Sequence, residues 1–163
     1  MRVIREAGDG AIREVRVGKQ AAVARGLFEE YASGLGIDLG FQGFEAELGR
    51  LGEMYGPPHG CLLLGLVHGH AQGCVAVRRL AGGDCEMKRL YVRAAARGTG
   101  LGRRLAQAAV DAGRALGYDR IVLDTLVSMT AARALYASLG FREIAPYYDN
   151  PIPGARFLGL DLR

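Results

Sequence analysis

The feature that most constrains the fold of this chain is a glycine-rich junction between an apolar run and a long helical pattern. The stretch "LYVRAAARGTGLGRRLAQ" occupies residues 90–107 and places Gly98, Gly100 and Gly102 within five residues. The residues before the glycines have the character of a strand, and the Ala- and Leu-rich residues after them are typical of a helix. The sequence therefore predicts a strand that turns sharply into a helix through flexible backbone.

This junction has the chemistry of an anion site. The first N–H groups of a helix have no intrahelical partners and carry the positive end of the helix dipole, so they stabilise a bound phosphate. Arg97, Arg103 and Arg104 add positive charge at the same point. We therefore interpret the backbone of residues 98–103 as a phosphate cradle rather than as a plain turn.

Two common phosphate motifs do not fit the cradle. A dinucleotide-binding turn needs a third glycine where Arg103 stands, and the strands before the junction are predicted to be antiparallel. A P-loop needs a G-K-[ST] sequence after its glycines, which is missing here. The junction thus indicates a pyrophosphate site of a different family.

Composition limits the class of protein. With 163 residues, half of them hydrophobic, the chain is expected to form one domain over residues 1–163 with a proper core. Its longest apolar run, residues 61–67, is far shorter than the roughly 20 residues that cross a bilayer. The first residues lack an apolar signal segment, so we expect a cytoplasmic protein that binds no membrane. A net charge of only +4 and the absence of tryptophan argue against nucleic acid as a partner.

Cysteine and histidine give no metal or thiol signature. Cys61, Cys74 and Cys85 are odd in number, form no C-x-x-C motif and lie in or beside predicted strands. They are expected to pack as small hydrophobic residues, and no metal site is predicted. His68 and His70 flank a glycine in "VHGH", which predicts a hairpin turn.

The order of predicted elements defines the fold class. Strands are predicted at residues 1–6, 61–67, 73–80, 85–92, 120–126, 141–145 and 156–162, and helices at residues 20–33, 41–51, 101–116 and 130–139. Residues 9–18 fit either a strand or the lead-in to a helix. The prediction is an α/β (α+β) fold, with a mixed, mostly antiparallel sheet of about six to seven strands and about four flanking helices.

Two motifs together resemble the GNAT superfamily of N-acetyltransferases. Residues 92–105, "VRAAARGTGLGRRL", are similar to its acetyl-CoA signature Q/R-x-x-G-x-G/A, which Arg97, Gly100 and Gly102 match. Residues 134–141, "ALYASLGF", resemble its closing helix and strand. The resemblance covers most of the chain after residue 60 and implies acetyl-CoA as cofactor and a GNAT-like sheet with one splayed strand pair.

The N-terminal third matches the superfamily only in layout. Residues 9–20 are extra length with no assigned role. Met129 stands where relatives often carry an asparagine that contacts the cofactor.

The resemblance also implies a set of cofactor contacts. The backbone of the last strand before the cradle would bind the pantetheine arm as a neighbouring strand would, and the cradle amides would bind the pyrophosphate. The predicted cofactor-binding residues are Leu90, Tyr91, Val92, Arg97, Gly98, Thr99, Gly100, Leu101, Gly102 and Arg103.

Two residues are predicted to be catalytic. Glu86 lies on the strand that leads to the cradle and is predicted to be the general base. Two alternatives stay open: it could anchor the substrate ammonium, or pair with Lys88 on the same face of its strand. Tyr136 is predicted to give a proton to the departing thiolate, and its alternative role is packing between helix and sheet.

The acceptor wall is predicted from aromatic and polar residues at two places in the chain. The substrate-binding residues are Tyr31 in the early helices, near Phe41 and Phe44, and Tyr147, Tyr148 and Asn150 in the late loop. Such a wall suits a small primary amine, for example an amino acid or an amino-sugar. Acetylation of a protein N-terminus or lysine, and a non-catalytic acetyl-CoA-binding module, remain as alternatives, and a homodimer is left open.

Overall fold

A computed structural model describes the backbone of residues 3–7, 10–15 and 19–163, and the side chains of residues 11–13 and 20–163. Parts of two predictions fall outside these ranges. They are residues 1 and 2 of the predicted strand 1–6, and residues 9 and 16–18 of the ambiguous segment 9–18.

The described residues form one mixed sheet with helices on both faces. Its strands are β1 (Val3–Ala7), β2 (Gly10–Val15), β3 (Cys61–Val67), β4 (His70–Arg79), β5 (Asp84–Val92), β6 (Arg120–Leu126), β7 (Arg142–Glu143) and β8 (Ala155–Asp161). Its helices are α1 (Lys19–Leu35), α2 (Phe44–Gly49), α3 (Leu51–Tyr55), α4 (Leu101–Ala115) and α5 (Thr130–Ser138). The strand order is β1-β2-β3-β4-β5-β6-β8-β7, and only the β5–β6 pair is parallel. The predicted mixed, mostly antiparallel α/β fold is therefore confirmed.

The ambiguous early segment adds a strand to the expected sheet. Gly10–Val15 forms β2, which pairs with β1 on one side and β3 on the other. Ile12 is completely buried between half-buried Ala11 and Arg13, as the two-residue period of a strand requires. The alternating pattern of this segment therefore forms a strand and not the lead-in to a helix.

The predicted helix over residues 41–51 is broken into shorter pieces. A 3-10 turn at Gly40–Gln42 ends at Gly43, whose φ of 69° bends the chain before α2. Arg50, with φ −132° and ψ 29°, then separates α2 from α3. Glycine at positions 43 and 49 weakens helix propensity at both breaks. The predicted strand 141–145 is also shorter, because only Arg142 and Glu143 pair with β8.

The sheet separates two hydrophobic cores. Along β3, Cys61 and Leu63 pack against α4, whereas Leu62 and Leu64 pack against α1, α2 and α3. This alternation is the two-residue period of a strand buried on both faces. Cys74 and Cys85 are also buried, in agreement with the prediction that the cysteines act as small hydrophobic residues.

The parallel strand pair separates partway along its length. Residues Asp84, Cys85 and Glu86 of β5 pair with Arg120, Ile121 and Val122 of β6, and the pairing ends there. Residues 87–92 and 123–126 continue as two diverging arms, which we call the fork. The splayed pair expected from the resemblance is thus present, at the level of the sheet where β5 leads into the cradle.

The described residues contain neither a membrane-spanning helix nor a cluster of potential metal ligands. None of their helices is long and apolar enough to cross a bilayer. Among the same residues, no group of three or more His, Cys, Asp or Glu side chains is placed to hold a metal ion.

Candidate active site

The phosphate cradle lies at the start of α4. Gly98 and Gly100 have φ values of 79° and 83°, a left-handed backbone that glycine adopts without steric cost. Gly100 is the cap residue of α4, and no described side chain caps the helix there. The first intrahelical bond joins the Arg104 N–H to the Gly100 carbonyl at 3.1 Å. The amides of residues 101–103 precede that bond and point out of the helix end, as a phosphate ligand requires.

The space in front of these amides is open. A side-chain carbon placed on Gly98 or Gly100 would meet no described atom within 4 Å. On Gly102 it would meet only the side chains of Val92 and Leu135, at 3.6 and 4.0 Å. The glycines therefore keep clear a volume that larger residues would occupy.

Arginines surround this volume. Nε of Arg97 donates to the Val92 carbonyl at 3.0 Å, and Nη1 of Arg103 donates to Oγ of Ser138 at 2.6 Å. Nε of Arg104 is buried and has no hydrogen-bond partner among the described residues. Buried polar atoms are almost always satisfied, so a guanidinium nitrogen without a partner in the first turn of α4 fits an anionic ligand at that helix end.

The fork carries a β-bulge on its β5 arm. Cys74 pairs with Tyr91 and Ala76 pairs with Lys88, so Arg89 and Leu90 together face a single residue of β4. Arg89 has a φ of 60°, a left-handed conformation that costs a non-glycine residue about 1 kcal/mol or more. The bulge re-aims the end of β5 next to the point where the strands separate.

A buried ion pair holds the bulge. Nε and Nη2 of Arg89 donate to the two carboxylate oxygens of Glu47 at 2.9 and 3.1 Å, and the Tyr55 hydroxyl donates to Glu47 at 2.7 Å. The Arg89 guanidinium also lies 5.2 Å from the ring centre of Phe44 and 5.7 Å from that of Tyr31. Burial alone would lower the pKa of Arg89, but the hydrogen bonds and charge of Glu47 raise it above its usual value. Arg89 is therefore a fixed, neutralised cation.

A cleft opens beside the fork on the side of α1. Its lining includes Tyr31, Lys88, Asp124, Tyr136 and Asn150. Four of the residues predicted from the sequence, from four separate parts of the chain, thus line one cavity: Tyr31, Leu90, Tyr136 and Asn150.

Glu86 lies behind this cleft and does not line it. Its side chain is 1% exposed, and Nε of Arg78 donates to Oε1 at 2.7 Å. Nζ of Lys88 lies 4.0 Å from the same oxygen, and the Tyr147 hydroxyl donates to Oε2 at 2.5 Å. The pairing with Lys88 considered above is present, but Arg78 is the nearer cation. Burial, followed by the Glu86 charge, raises the pKa of Tyr147.

Asp124 holds the late loop over the fork. Its Oδ2 accepts hydrogen bonds from the Tyr148 hydroxyl, from Nδ2 of Asn150 at 2.9 Å and from Nε2 of Gln42 at 3.5 Å. The rings of Tyr147 and Tyr148 pack on each other with centres 5.5 Å apart. The late loop therefore closes one side of the cleft.

Burial shifts the pKa values of three titratable groups that line the cleft, raising those of Tyr31 and Tyr136 and lowering that of Lys88. Tyr136 is 6% exposed and packs on Phe141 with ring centres 5.7 Å apart. Burial raises the pKa of Tyr136, so its hydroxyl stays protonated throughout the neutral range. Burial lowers the pKa of Lys88, and the Glu86 charge opposes part of that shift.

The sequence interpretation missed Glu47, Asp124 and Gln42. Glu47 follows Phe44 by three residues and therefore lies on the apolar face of its helix, which was a readable signal for a buried carboxylate. Asp124 is a lone charge inside the apolar strand "RIVLDTL", another readable signal. Gln42 lies in a short turn with no pattern that marks it.

Comparisons with known proteins agree with this geometry. Residues 24–141 match the sequence profile described as the acetyltransferase (GNAT) family. An uncharacterized N-acetyltransferase of Schizosaccharomyces pombe is 46% identical over 83% of this chain and 85% of its own length. Another, from Escherichia coli, is 32% identical over 76% of this chain and 75% of its own length. Human N-acetylaspartate synthetase is 30% identical over 60% of this chain and 33% of its own length.

Solved structures show the same fold. An acetyltransferase of Streptococcus agalactiae superposes with a TM-score of 0.76 at 20% identity, covering 94% of this chain and 98% of that one. An acetyltransferase of Salmonella typhimurium, solved with its cofactor acetyl-CoA, superposes with a TM-score of 0.66 at 21% identity, covering 96% and 95% of the two chains. The extent of the profile match and the identity to the fission-yeast relative decide the matter: the chain belongs to the GNAT family of acyl-CoA N-acyltransferases.

Proposed function

We propose that this enzyme transfers the acetyl group of acetyl-CoA to the primary amine of a small molecule, by direct attack in a ternary complex. The observation that carries the proposal is the open N-terminus of α4 at the end of the diverging β5 arm. A diphosphate at the cradle and a thioester in the fork would be joined by a pantetheine arm running along residues 90–92. Those residues lie beyond the last β5–β6 pair, so their β6-facing edge is outside the ladder.

The reaction needs one bond to form and one to break. The acceptor nitrogen attacks the thioester carbon, a C–N bond forms and the C–S bond breaks. An ammonium acceptor loses two protons in all, of which one ends on the coenzyme thiol and the other on a base or in solvent. Backbone N–H groups in the fork would stabilise the oxyanion that forms between these events.

The properties of Tyr136 support a role in protonating the departing coenzyme thiolate. It lines the cleft, and its raised pKa keeps the phenol protonated at the pH where the thiolate departs. A positioned phenol that can donate a proton favours thiol release. We therefore keep Tyr136 as the proposed acid.

Glu86 is retained as the proposed base, with a condition set by its contacts. Both of its oxygens are engaged, by Arg78 and by Tyr147, and the side chain is 1% exposed. It could receive a proton only through a water molecule or after the Tyr147 hydroxyl leaves Oε2.

A small acceptor fits the cleft better than a protein segment. The hydrogen bonds of Tyr148 and Asn150 to Asp124 bring the late loop across one side, whereas an extended peptide needs an open groove. The name of the human relative, N-acetylaspartate synthetase, belongs to a protein that makes an acetylated amino acid. Both points favour a small amine.

The test is release of free thiol from acetyl-CoA in the presence of a panel of amines. The panel should contain amino acids, amino-sugars, diamines and a lysine-containing peptide. Acetylation of at least one small amine, with the peptide inactive, supports the proposal. Turnover on the peptide alone favours a protein acetyltransferase, and coenzyme binding without turnover on any member of a broad panel favours a non-catalytic binding module.

A further inference from the structure

The charged residues in and behind the cleft differ in how fully they are paired. Arg89 is paired with Glu47, and Glu86 is paired with Arg78. Asp124 has no ion-pair partner among the described residues, because its three donors are a phenol and two amides, all neutral. Among the described residues, the only carboxylate that Lys88 reaches is Glu86, at 4.0 Å, and that carboxylate already binds Arg78 more closely.

Lys88 and Asp124, the two charged residues that these ion pairs leave largely uncompensated, lie on opposite arms of the fork. Lys88 is two residues beyond Glu86, and Asp124 is two residues beyond Val122, and Glu86 and Val122 are the last residues that pair. Side chains two apart on a strand share a face. Lys88 and Asp124 therefore present opposite charges on the same face of the sheet, where the strands have begun to separate.

One side chain bridges them in the free enzyme. Oε1 of Gln42 accepts from Nζ of Lys88 at 3.5 Å, and Nε2 of Gln42 donates to Oδ2 of Asp124, also at 3.5 Å. An ammonium only donates and a carboxylate only accepts, so the partners themselves fix which end of the amide is which. Both bonds are at the long limit for hydrogen bonds, whereas Nε2 also donates to the Tyr148 hydroxyl at 3.0 Å. A charged ligand can therefore replace the neutral amide at Lys88 and Asp124 while the shorter bond to Tyr148 holds Gln42.

Asp124 also has a free ligand position. All three of its hydrogen bonds end on Oδ2, and Oδ1 accepts none from the described residues. Oδ1 is therefore available to a cation in the cleft. The Gln42 amide indicates what a ligand that binds both residues must carry. Its acceptor oxygen lies beside Lys88, its donor nitrogen lies beside Asp124, and only one carbon separates the two.

We infer that the acceptor is a free α-amino acid, whose carboxylate binds Nζ of Lys88 and whose ammonium binds Oδ1 of Asp124. This inference rests on the proposed acetyltransferase function and narrows its substrate class. An α-amino acid carries its anion and its cation on adjacent carbons, which matches the short span that Gln42 bridges. Amino-sugars and simple amines lack the anion, and a peptide N-terminus has an amide in its place. Acetylation removes the positive charge, which weakens the hold of Asp124 and favours product release.

The experiment compares matched acceptors in the thiol-release assay. The twenty standard L-amino acids are screened, and the best of them is then compared with its carboxamide and with the amine left after decarboxylation. The wild type should prefer the amino acid to its carboxamide by about 10- to 100-fold in kcat/KM, the size of a charge-assisted hydrogen bond. In Lys88→Met that ratio should fall to near one, mainly through KM.

Matched controls remove the same charges elsewhere. Arg25→Met removes an exposed cation on α1, and the preference for the carboxylate should survive. Asp124→Asn should raise KM for the amino acid and the carboxamide together, because both carry the ammonium, whereas Asp149→Asn on the same loop should not. If Lys88→Met fails to fold, Lys88→Gln replaces it, with circular dichroism as the check.

The outcomes separate the inference from the proposed function. Equal kcat/KM for the amino acid and its carboxamide, or better turnover of an amino-sugar, overturns the inference and leaves the acetyltransferase proposal standing. A preference that survives in Lys88→Met also overturns it. If no amine in the panel is acetylated, the proposed function itself fails.

Discussion

Glu47 and Arg89, 42 positions apart in the chain, form a buried ion pair with two hydrogen bonds of 2.9 and 3.1 Å. The pair joins α2 to the bulge of β5 and holds Arg89 in a left-handed conformation, with φ of 60°. The residue that shapes one arm of the fork is thus fixed by a carboxylate from the other layer of the fold.

Glu47→Ala should therefore destabilise the fold strongly. Removal of the carboxylate leaves the Arg89 charge buried and unpaired, which costs about 3–5 kcal/mol in the free energy of unfolding. Glu53→Ala is the control, since its ion pair with Arg50 is more than 60% exposed on both sides and is worth less than about 1 kcal/mol. Urea unfolding measures both. Losses of equal size in the two variants would show that the buried pair does not hold the bulge.

The role of Glu86 is decided by comparing it with its hydrogen-bond partner. If Glu86 is the base, Glu86→Gln should lower kcat by about 10²-fold or more. Tyr147→Phe releases Oε2 of Glu86 and keeps the ring packing, so it should cost less than about 10-fold. Steady-state kinetics at saturating acetyl-CoA separate the cases. Equal losses in kcat would assign Glu86 to positioning Tyr147 rather than to proton transfer.

Tyr136→Phe should keep coenzyme binding and lose turnover. The loss of a proton donor to the thiolate predicts a fall in kcat of about 10²-fold. Burial raises the pKa of Tyr136 above 10, so the phenol is protonated at every pH below that value. Any fall of kcat on the alkaline side below pH 10 must then come from another group and persist in the variant. Tyr118→Phe, which removes a hydroxyl outside the cleft, is the control; if the two variants have equal kcat, Tyr136 is not the acid.

Lys88 makes stability depend on pH in a defined direction. Burial lowers the pKa of Lys88 in the folded state, against the opposing charge of Glu86 and with the help of Arg89 and Arg78. Between that lowered pKa and 10.5 the unfolded chain binds more protons, so this residue makes the fold more stable as pH rises. Lys88→Met should therefore gain most over the wild type at neutral pH and less near pH 10. Urea unfolding at pH 7, 8, 9 and 10 measures the difference in the free energy of unfolding between the variant and the wild type. A difference that grows with pH would contradict this prediction.

Local pattern predicted the parts of the site that lie close together in sequence. The cradle could be recognised because Gly98, Gly100 and the start of α4 are adjacent, and their physics is that of a helix N-terminus. The fork, by contrast, was expected only from the resemblance to the GNAT superfamily, because no local pattern marks where two strands separate. The alternation in residues 10–15 was also visible, although pattern alone could not choose between strand and helix.

Tertiary contacts decided the rest. Gln42 meets Asp124 across 82 positions and Lys88 across 46, through a turn whose conformation depends on Gly43. The break of the predicted helix at Arg50 combines the weak helix propensity of Gly49 with the packing of α2 and α3 in one apolar core. No window of sequence contains both members of such pairs, so their chemistry becomes visible only once the strands are ordered.

The proposed function depends above all on binding of the coenzyme diphosphate by the cradle at the start of α4. Gly100→Val and Gly117→Val test it, because both glycines have φ near 83° and open space at the side-chain position, but Gly117 follows the opposite end of α4. The two substitutions should cost similar stability, so any difference in binding reports on the site itself.

The most direct measurement is calorimetric titration of coenzyme A into the wild type and both variants. Gly100→Val should remain folded and lose detectable binding, while Gly117→Val should bind with the affinity of the wild type. Wild-type affinity in folded Gly100→Val would contradict it.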